Sequence, residues 1–331
     1  MAPVAEQIIR LGLGFIGSQA LRVVADLEIA DRLADGAKSV DDLSVETGAH
    51  ADALYRIMRV LAAEGVFRET SARQFELTEL GMALRSGAPS SARDFVRMIN
   101  REPYIAFSKL SHSVATGRPA FDEVFGKARF DWLADHPAEA KLFQRAMIAL
   151  SQGDNEAVAE AYDFLPYSRV VDVGGGHGQL LSLILDRHQH ISGILFDRPS
   201  GVDAARARAG SASGRIQFVS GDFFDAVPSG ADVYLLKRVI HDWNNEQAVK
   251  ILTKCREAMA PGGRVLIVET IMRAGDAPDP RKFIDAIMLV VTGGTERTEG
   301  EYVAILAEAG LRLDRVHATS RPISVLEATR I

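Results

Sequence analysis

Apolar positions near the start of the chain recur at helical steps. Ala20, Val23, Val24, Leu27, Ala30 and Leu33 lie three and four residues apart, which predicts one amphipathic helix over 18–34 that stops near Gly36. The next thirty residues read as a helix, a turn at Thr47-Gly48, a second helix and a strand entering at Val66. In QFELTELGMALR, Phe75 and Leu77 alternate as the return arm of a small hairpin. Helix, turn, helix and hairpin together make a winged-helix pattern. Residues 101–165 are expected to be helical again, with aromatic and methionine side chains spread along the helical faces.

The rhythm changes at Arg169. RVVDV, GILFD, IQFVSGD, ADVYLLKRVIHDW and RVLIVE are short apolar runs that end in polar residues and alternate with helical stretches. Such alternation predicts an α/β domain, a parallel sheet with helices on both faces. The last two runs, LRLDRVHATS and ISVLEATR, are separated only by Arg321-Pro322 and should close the sheet as an antiparallel hairpin.

Totals narrow the possibilities. A length of 331 residues favours two domains over one. A net charge of −6 argues against general affinity for nucleic acid or anionic lipid, so neither is expected as a partner. The single cysteine, Cys255, excludes an internal disulfide and suits a cytoplasmic protein. No run reaches the ~18 apolar residues of a membrane span. Glu6 precedes Arg10, which makes a signal peptide unexpected.

Two glycine runs invite a cofactor. Gly12-Leu13-Gly14-Phe15-Ile16-Gly17 spells a dinucleotide turn, but helical periodicity continues where a second strand and its terminal acid are required. Helix packing accounts for it better. The second run, VVDVGGGHGQL, follows an apolar strand and opens a helix, with Gln179 where a dinucleotide turn wants its last glycine. Asp172, Asp197 and Asp222 fall at the ends of three successive strands and would repel a pyrophosphate. S-adenosylmethionine fits them: it carries an ammonium, a sulfonium and a ribose diol, and no phosphate. Asp172 is the member that could brace the loop in place of touching ligand.

The fourth strand runs into His241-Asp242-Trp243. An imidazole with a pKa near 6.5 can take the proton of a phenol, whose pKa lies near 10, as the oxygen attacks a methyl donor. Glu269, ending the fifth strand, and Glu296, in GGTERT, are placed to brace or stabilise that ring. No close cluster of ligands beyond the cofactor acids suggests a metal.

DVGGGHG, LFDRP, GDFF, LLKRVIHDW, PGGRVLIVE and GGTERT, in this order and spacing, resemble the S-adenosylmethionine-dependent O-methyltransferases that include plant caffeic acid and isoflavone enzymes and bacterial tailoring enzymes. The resemblance covers nearly the whole chain. It implies a Rossmann-like class I sheet over 166–331, a helical connector over 101–165 that contributes to the acceptor pocket, and a winged-helix-like dimerisation domain over 1–100, hence a homodimer. It puts the base on His241 and its flanking acids on Glu269 and Glu296. Cofactor contacts fall on Gly174 and Gly176 in the loop, Asp197 for the ribose, Asp222 and Phe223 for the adenine, and Lys237 near the base or the methionine. The acceptor, a small aromatic compound, would meet Phe143, Met147, Trp243, Ile284, Ile287 and Met288. Between Met288 and GGTERT the chain is a residue shorter than the plant pattern and lacks its Asn-Pro, which leaves the acceptor's shape open.

Two rival readings stand beside it. The fold could serve N-methylation of an aromatic heterocycle. The winged helix could serve a DNA-binding regulator, but residues 1–100 hold about 11 basic and 14 acidic side chains, and a DNA reader should show a basic face.

Overall fold

The computed structural model describes residues 3–89, 91–151, 153–208 and 214–331. The chain forms two compact units, Met1–Ser108 with Phe130–Gln152, and Lys109–Arg129 with Gly153–Ile331. The stretch 101–165 is thus divided between them. Among the described residues no single helix is long and apolar enough to cross a membrane.

In the first unit, helix Val40–Thr47 is capped by Ser39, whose hydroxyl accepts from the Asp42 amide at 3.0 Å, and ends at Gly48 with φ +73°. Helix Ala51–Ala63 follows, and then a three-stranded antiparallel sheet: β1 (Lys38–Ser39), β2 (Phe67–Ser71) and β3 (Gln74–Leu77), in the order β1-β3-β2. Leu43, Met58, Leu61, Phe67 and Phe75 fill the space between helices and sheet. The winged-helix pattern is therefore present. The helix expected over 18–34 is two: Gly14–Asp26 and Ile29–Arg32. Glu28 breaks it by taking φ +57°, and the guanidinium of Arg32 donates to the Leu27 carbonyl at 3.1 Å. Helix Pro137–Leu150 packs on helix Arg93–Ile99 in this same unit, with Arg145 paired to Asp94 at 2.9 Å.

The second unit is built on seven strands: β4 (Arg169–Val173), β5 (Ser192–Asp197), β6 (Ile216–Ser220), β7 (Val233–Lys237), β8 (Arg264–Thr270), β9 (Leu311–Ala318) and β10 (Ile323–Arg330). Their order is β6-β5-β4-β7-β8-β10-β9. The first five in sequence run parallel, and β10 lies antiparallel between β8 and β9. Both faces are buried, which is why these strands read as nearly unbroken apolar runs. Val171 and Val173 belong to one core cluster and Val170 to the other, as alternation along a strand requires. Each such side chain contributes about 1.5–3 kcal/mol of burial.

The strand order fixes where a ligand can bind. From β4 the chain moves outward through β5 and β6, then returns to place β7 on the other side of β4. The carboxyl ends of β4 and β7 flank the point where the connections diverge, the usual crevice for ligands in an open α/β sheet.

Candidate active site

The loop leaving β4 sits at this divergence. Gly174, Gly176 and Gly178 all take positive φ, between +55° and +69°, a conformation that L side chains adopt only with strain. A side chain at Gly174 would meet Val239, just past β7, at 2.9 Å, whereas one at Gly176 would meet nothing within 4 Å. One glycine lets two strand ends approach. The other borders open space.

The acids line up beside this loop. Asp197 accepts from the amides of Gly176 at 2.7 Å and Arg198 at 2.6 Å, so it already shapes the glycine turn. Burial pushes its carboxyl up, opposed by those two amides. Asp172 lies buried beneath Gly175, where burial pushes its carboxyl up to about 7, with Lys237 opposing and Asp197 adding to the rise. Asp172 therefore carries the loop from below. Asp222 accepts from the Phe224 amide at 2.8 Å, and Arg198, Gly221, Asp222, Phe223, Phe224 and Trp243 line one small cavity. Trp243 packs edge-on against Phe223 and Phe224, with centroids 5.7 and 4.7 Å apart. Lys237 donates to Asn155 at 2.7 Å, and burial lowers its ammonium to about 8.

His241 stands on a short 3₁₀ turn, Ile240–Asp242, that follows β7. Its Nδ1 lies 2.7 Å from Glu296 Oε1, leaving Nε2 on the opposite side of the ring, 3.9 Å from Asp242. The other oxygen of Glu296 accepts from the Thr270 hydroxyl at 3.0 Å. Glu269 has a different task. Its Oε1 accepts from the backbone amides of Val239 at 3.0 Å and His241 at 3.3 Å, while Oε2 is 3.8 Å from Nδ1. One carboxylate orients the ring and the other holds the turn beneath it. Burial alone would lower the imidazole, but the Glu269, Asp242 and Glu296 charges outweigh it and hold it up at about 10. Burial pushes the Glu269 and Asp242 carboxyls up, whereas the bond to His241 keeps Glu296 down against its own burial.

Ile284, Ile287 and Met288 are half-buried on one face of helix Arg281–Val291. Asp285 of that helix accepts from the Glu296 amide at 2.9 Å, which ties the helix to the site. Phe143 and Met147 belong to the first unit, where they pack against Met98, Leu142 and Ala146. Thr270, Asp285 and Asn155 are partners that the sequence did not single out, because no spacing rule relates them to the groups they touch.

The donor set suits S-adenosylmethionine. Glycines in the left-handed region bring backbone to the strand ends, the half-buried Asp197 and the exposed Asp222 stand where cationic and diol groups would lie, and the aromatic cluster beside Asp222 offers a flat surface. The first glycine run offers none of this. Gly12 and Gly14 bound the two opening helices, Val4–Gly12 and Gly14–Asp26, and nothing lies within 4 Å of a side chain built at Gly12, Gly14 or Gly17.

Known proteins agree. Residues 107–312 match the O-methyltransferase domain family, and residues 9–86 match the O-methyltransferase dimerisation domain. The phenazine O-methyltransferase PhzM of Lysobacter antibioticus is 40% identical, over 99% of this chain and 97% of its own. The mitomycin 7-O-methyltransferase MmcR superposes with a TM-score of 0.93 at 33% identity, covering 99% of this chain and 98% of its own. NcsB1, an O-methyltransferase from neocarzinostatin biosynthesis solved with S-adenosylmethionine and 2-hydroxy-5-methyl naphthoic acid, superposes with a TM-score of 0.86 at 36% identity, covering 96% of each chain. Glycine loop, strand-end acids and likeness along the whole length converge: the chain belongs to the S-adenosylmethionine-dependent O-methyltransferases.

Proposed function

We propose that this enzyme methylates a phenolic hydroxyl of a polycyclic or substituted aromatic acceptor, with His241 as general base and no metal. The observation that carries the proposal is the bond of 2.7 Å from His241 Nδ1 to Glu296. A carboxylate on Nδ1 fixes the tautomer so that Nε2 carries the lone pair. The neighbouring carboxylates hold the imidazole at about 10, so the base is its neutral fraction, which grows as pH rises, and that fraction takes the proton of a phenol near 10 with little penalty. Glu269 keeps the turn in place during that transfer, and Thr270 holds the far oxygen of Glu296.

S-adenosylmethionine, when bound, supplies a methyl group already activated on sulfur. The chain's share is placement and proton removal. Gly174 and Gly176 would border the methionine part, Asp197 would take the ribose hydroxyls, and Asp222 with Phe223 the adenine. Lys237 would lie near the base or the methionine. Ile284, Ile287 and Met288 offer an apolar face to a flat acceptor, and Trp243 would add an aromatic ring to it.

We also take the chain to act as a homodimer. Val4, Ile8, Leu11 and Phe15 are more than half exposed in the region matching the dimerisation domain and its approach, and a second copy would cover them. A monomeric mass by light scattering would contradict this.

The test is methyl transfer from labelled S-adenosylmethionine to a panel of phenols, phenazines, hydroxynaphthoates and aromatic amines. Label on phenolic oxygen supports the proposal; label confined to the amines overturns it. His241→Ala should lower turnover by about a hundredfold or more while S-adenosylhomocysteine still binds. Undiminished turnover in that variant would leave positioning alone as the source of rate.

A further inference from the structure

Arg297 follows Glu296 in GGTERT, and neither the fold nor the chemistry described so far uses it. It is fully buried. Its guanidinium has five N–H donors, and five bonds account for them. Nη1 donates to the carbonyls of Ile240 at 3.0 Å and Thr295 at 3.1 Å. Nη2 donates to the Trp243 carbonyl at 2.8 Å and to Asn245 Oδ1 at 2.9 Å, and Nε donates to the same Asn245 oxygen at 3.1 Å. Ile240 and Trp243 bracket His241.

The same loop approaches the histidine from a second side. The Thr295 amide donates to the His241 carbonyl at 2.8 Å. A side chain at Gly294 would strike that carbonyl oxygen at 2.0 Å, so only glycine permits the approach. The Arg297 carbonyl accepts from Met272 at 2.9 Å, just beyond β8. Residues 294–297 are thus stitched to residues 240–245 through backbone groups, with Glu296 and His241 facing each other across the seam.

The electrostatics argue that this arrangement does more than fill space. Among the described residues no ion pair to the guanidinium occurs; burial lowers its pKa, opposed by Tyr302 and by the nearby charges of Glu269, Glu301 and Glu296. With no carboxylate bonded to it directly, the buried cation is costly to desolvate, and an apolar side chain would fill the volume at less expense. The cost is understandable if the five-pronged planar fork is needed to fix two loops in register.

We propose that Arg297 is a positioning residue whose guanidinium locks the turn 240–243 against the Glu296 loop, so that the imidazole of His241 and the carboxylate of Glu296 meet. As a contribution to rate this rests on His241 being the base; as a statement about the ring it does not.

Histidine-labelled enzyme saturated with S-adenosylhomocysteine tests the proposal by nitrogen-detected magnetic resonance, with His241→Ala used to assign the ring. The parent should show Nδ1 protonated and bonded, and an imidazole that keeps its proton well above pH 6.5. Arg297→Met should lose the bonded Nδ1 proton, and its titration midpoint should fall as the Glu296 bond is lost. Arg297→Lys, with three donors for five, should fall between. S-adenosylhomocysteine affinity should be unchanged in both, which shows that the cofactor half is intact. Asn245→Ala, which removes the acceptor of two of the five bonds, should shift the ring in the same direction by less. A folded Arg297→Met enzyme with the parent's ring signature overturns the proposal. If that variant does not accumulate, an unshifted ring in Asn245→Ala overturns it. Normal turnover in His241→Ala would remove the base from the proposed function, and the ring signature would still decide what Arg297 holds.

Discussion

The two glycine runs differ more in fate than in spelling. Gly12, Gly14 and Gly17 open the chain in two helices with no neighbour close to any of them, whereas Gly174, Gly176 and Gly178 take left-handed backbone at the end of a buried strand. A glycine pattern acquires chemical meaning from what precedes and follows it. Val170–Val173 is a strand with a parallel neighbour on each side, so the loop after it is delivered to the sheet's divergence point. Residues 4–12 form an exposed helix, so the loop after them is delivered nowhere in particular.

The comparison can be broken by substitution. Asp197, which shapes the second run through Gly176, is a sensitive probe. Asp197→Asn replaces charge-assisted bonds worth about 1.5–3 kcal/mol with weaker ones, and should weaken S-adenosylhomocysteine binding by about tenfold to a hundredfold in calorimetry. An unchanged affinity would remove Asp197 from the site.

Asp172 gives a smaller, pH-dependent effect. Its folded carboxyl titrates at about 7, against about 4 in the unfolded chain. Between those values the folded chain holds a proton that the unfolded chain has released, so stability falls as pH rises through the window and stays lower above it. Asp172→Asn has no such group. Its melting temperature relative to the parent should therefore climb from pH 4 to pH 7, and parallel curves would contradict the assignment. The smallest effect belongs to the first run. Gly17→Ala, inside helix Gly14–Asp26 with space for a methyl, should stabilise the chain to unfolding by about 0.5–1 kcal/mol and leave cofactor affinity alone.

Much of the architecture was readable in advance because it rests on local rules. Five apolar runs ending in polar residues became β4 to β8, and the two runs around Arg321-Pro322 became the closing hairpin. The order of those strands was not readable, since periodicity does not say on which side of β4 a returning strand will lie. The periodicity over 18–34 predicts one continuous helix because its apolar steps continue through Glu28, whose left-handed backbone leaves no mark in the pattern. In the site, His241, Glu269 and Glu296 could be picked out by their positions at strand ends and in GGTERT. Their division of labour could not. Whether Glu269 meets the ring or the amides beneath it depends on a turn that exists only after β7 and β8 pair. Arg297 was passed over for the same reason: four of its five bonds end on groups 52 to 57 residues away.

The most direct measurement is titration of S-adenosylhomocysteine into Gly176→Val beside Gly17→Ala. Gly176 borders open space, so a side chain there meets no neighbour and would occupy the cofactor's place; its backbone at φ +55° makes the substitution strained, so an unchanged melting transition is the control that the fold persists. Gly17→Ala should bind as the parent does and Gly176→Val should bind at least about a hundredfold more weakly, a loss of roughly 3 kcal/mol. Equal binding by all three proteins would mean that the second glycine run does not hold the cofactor.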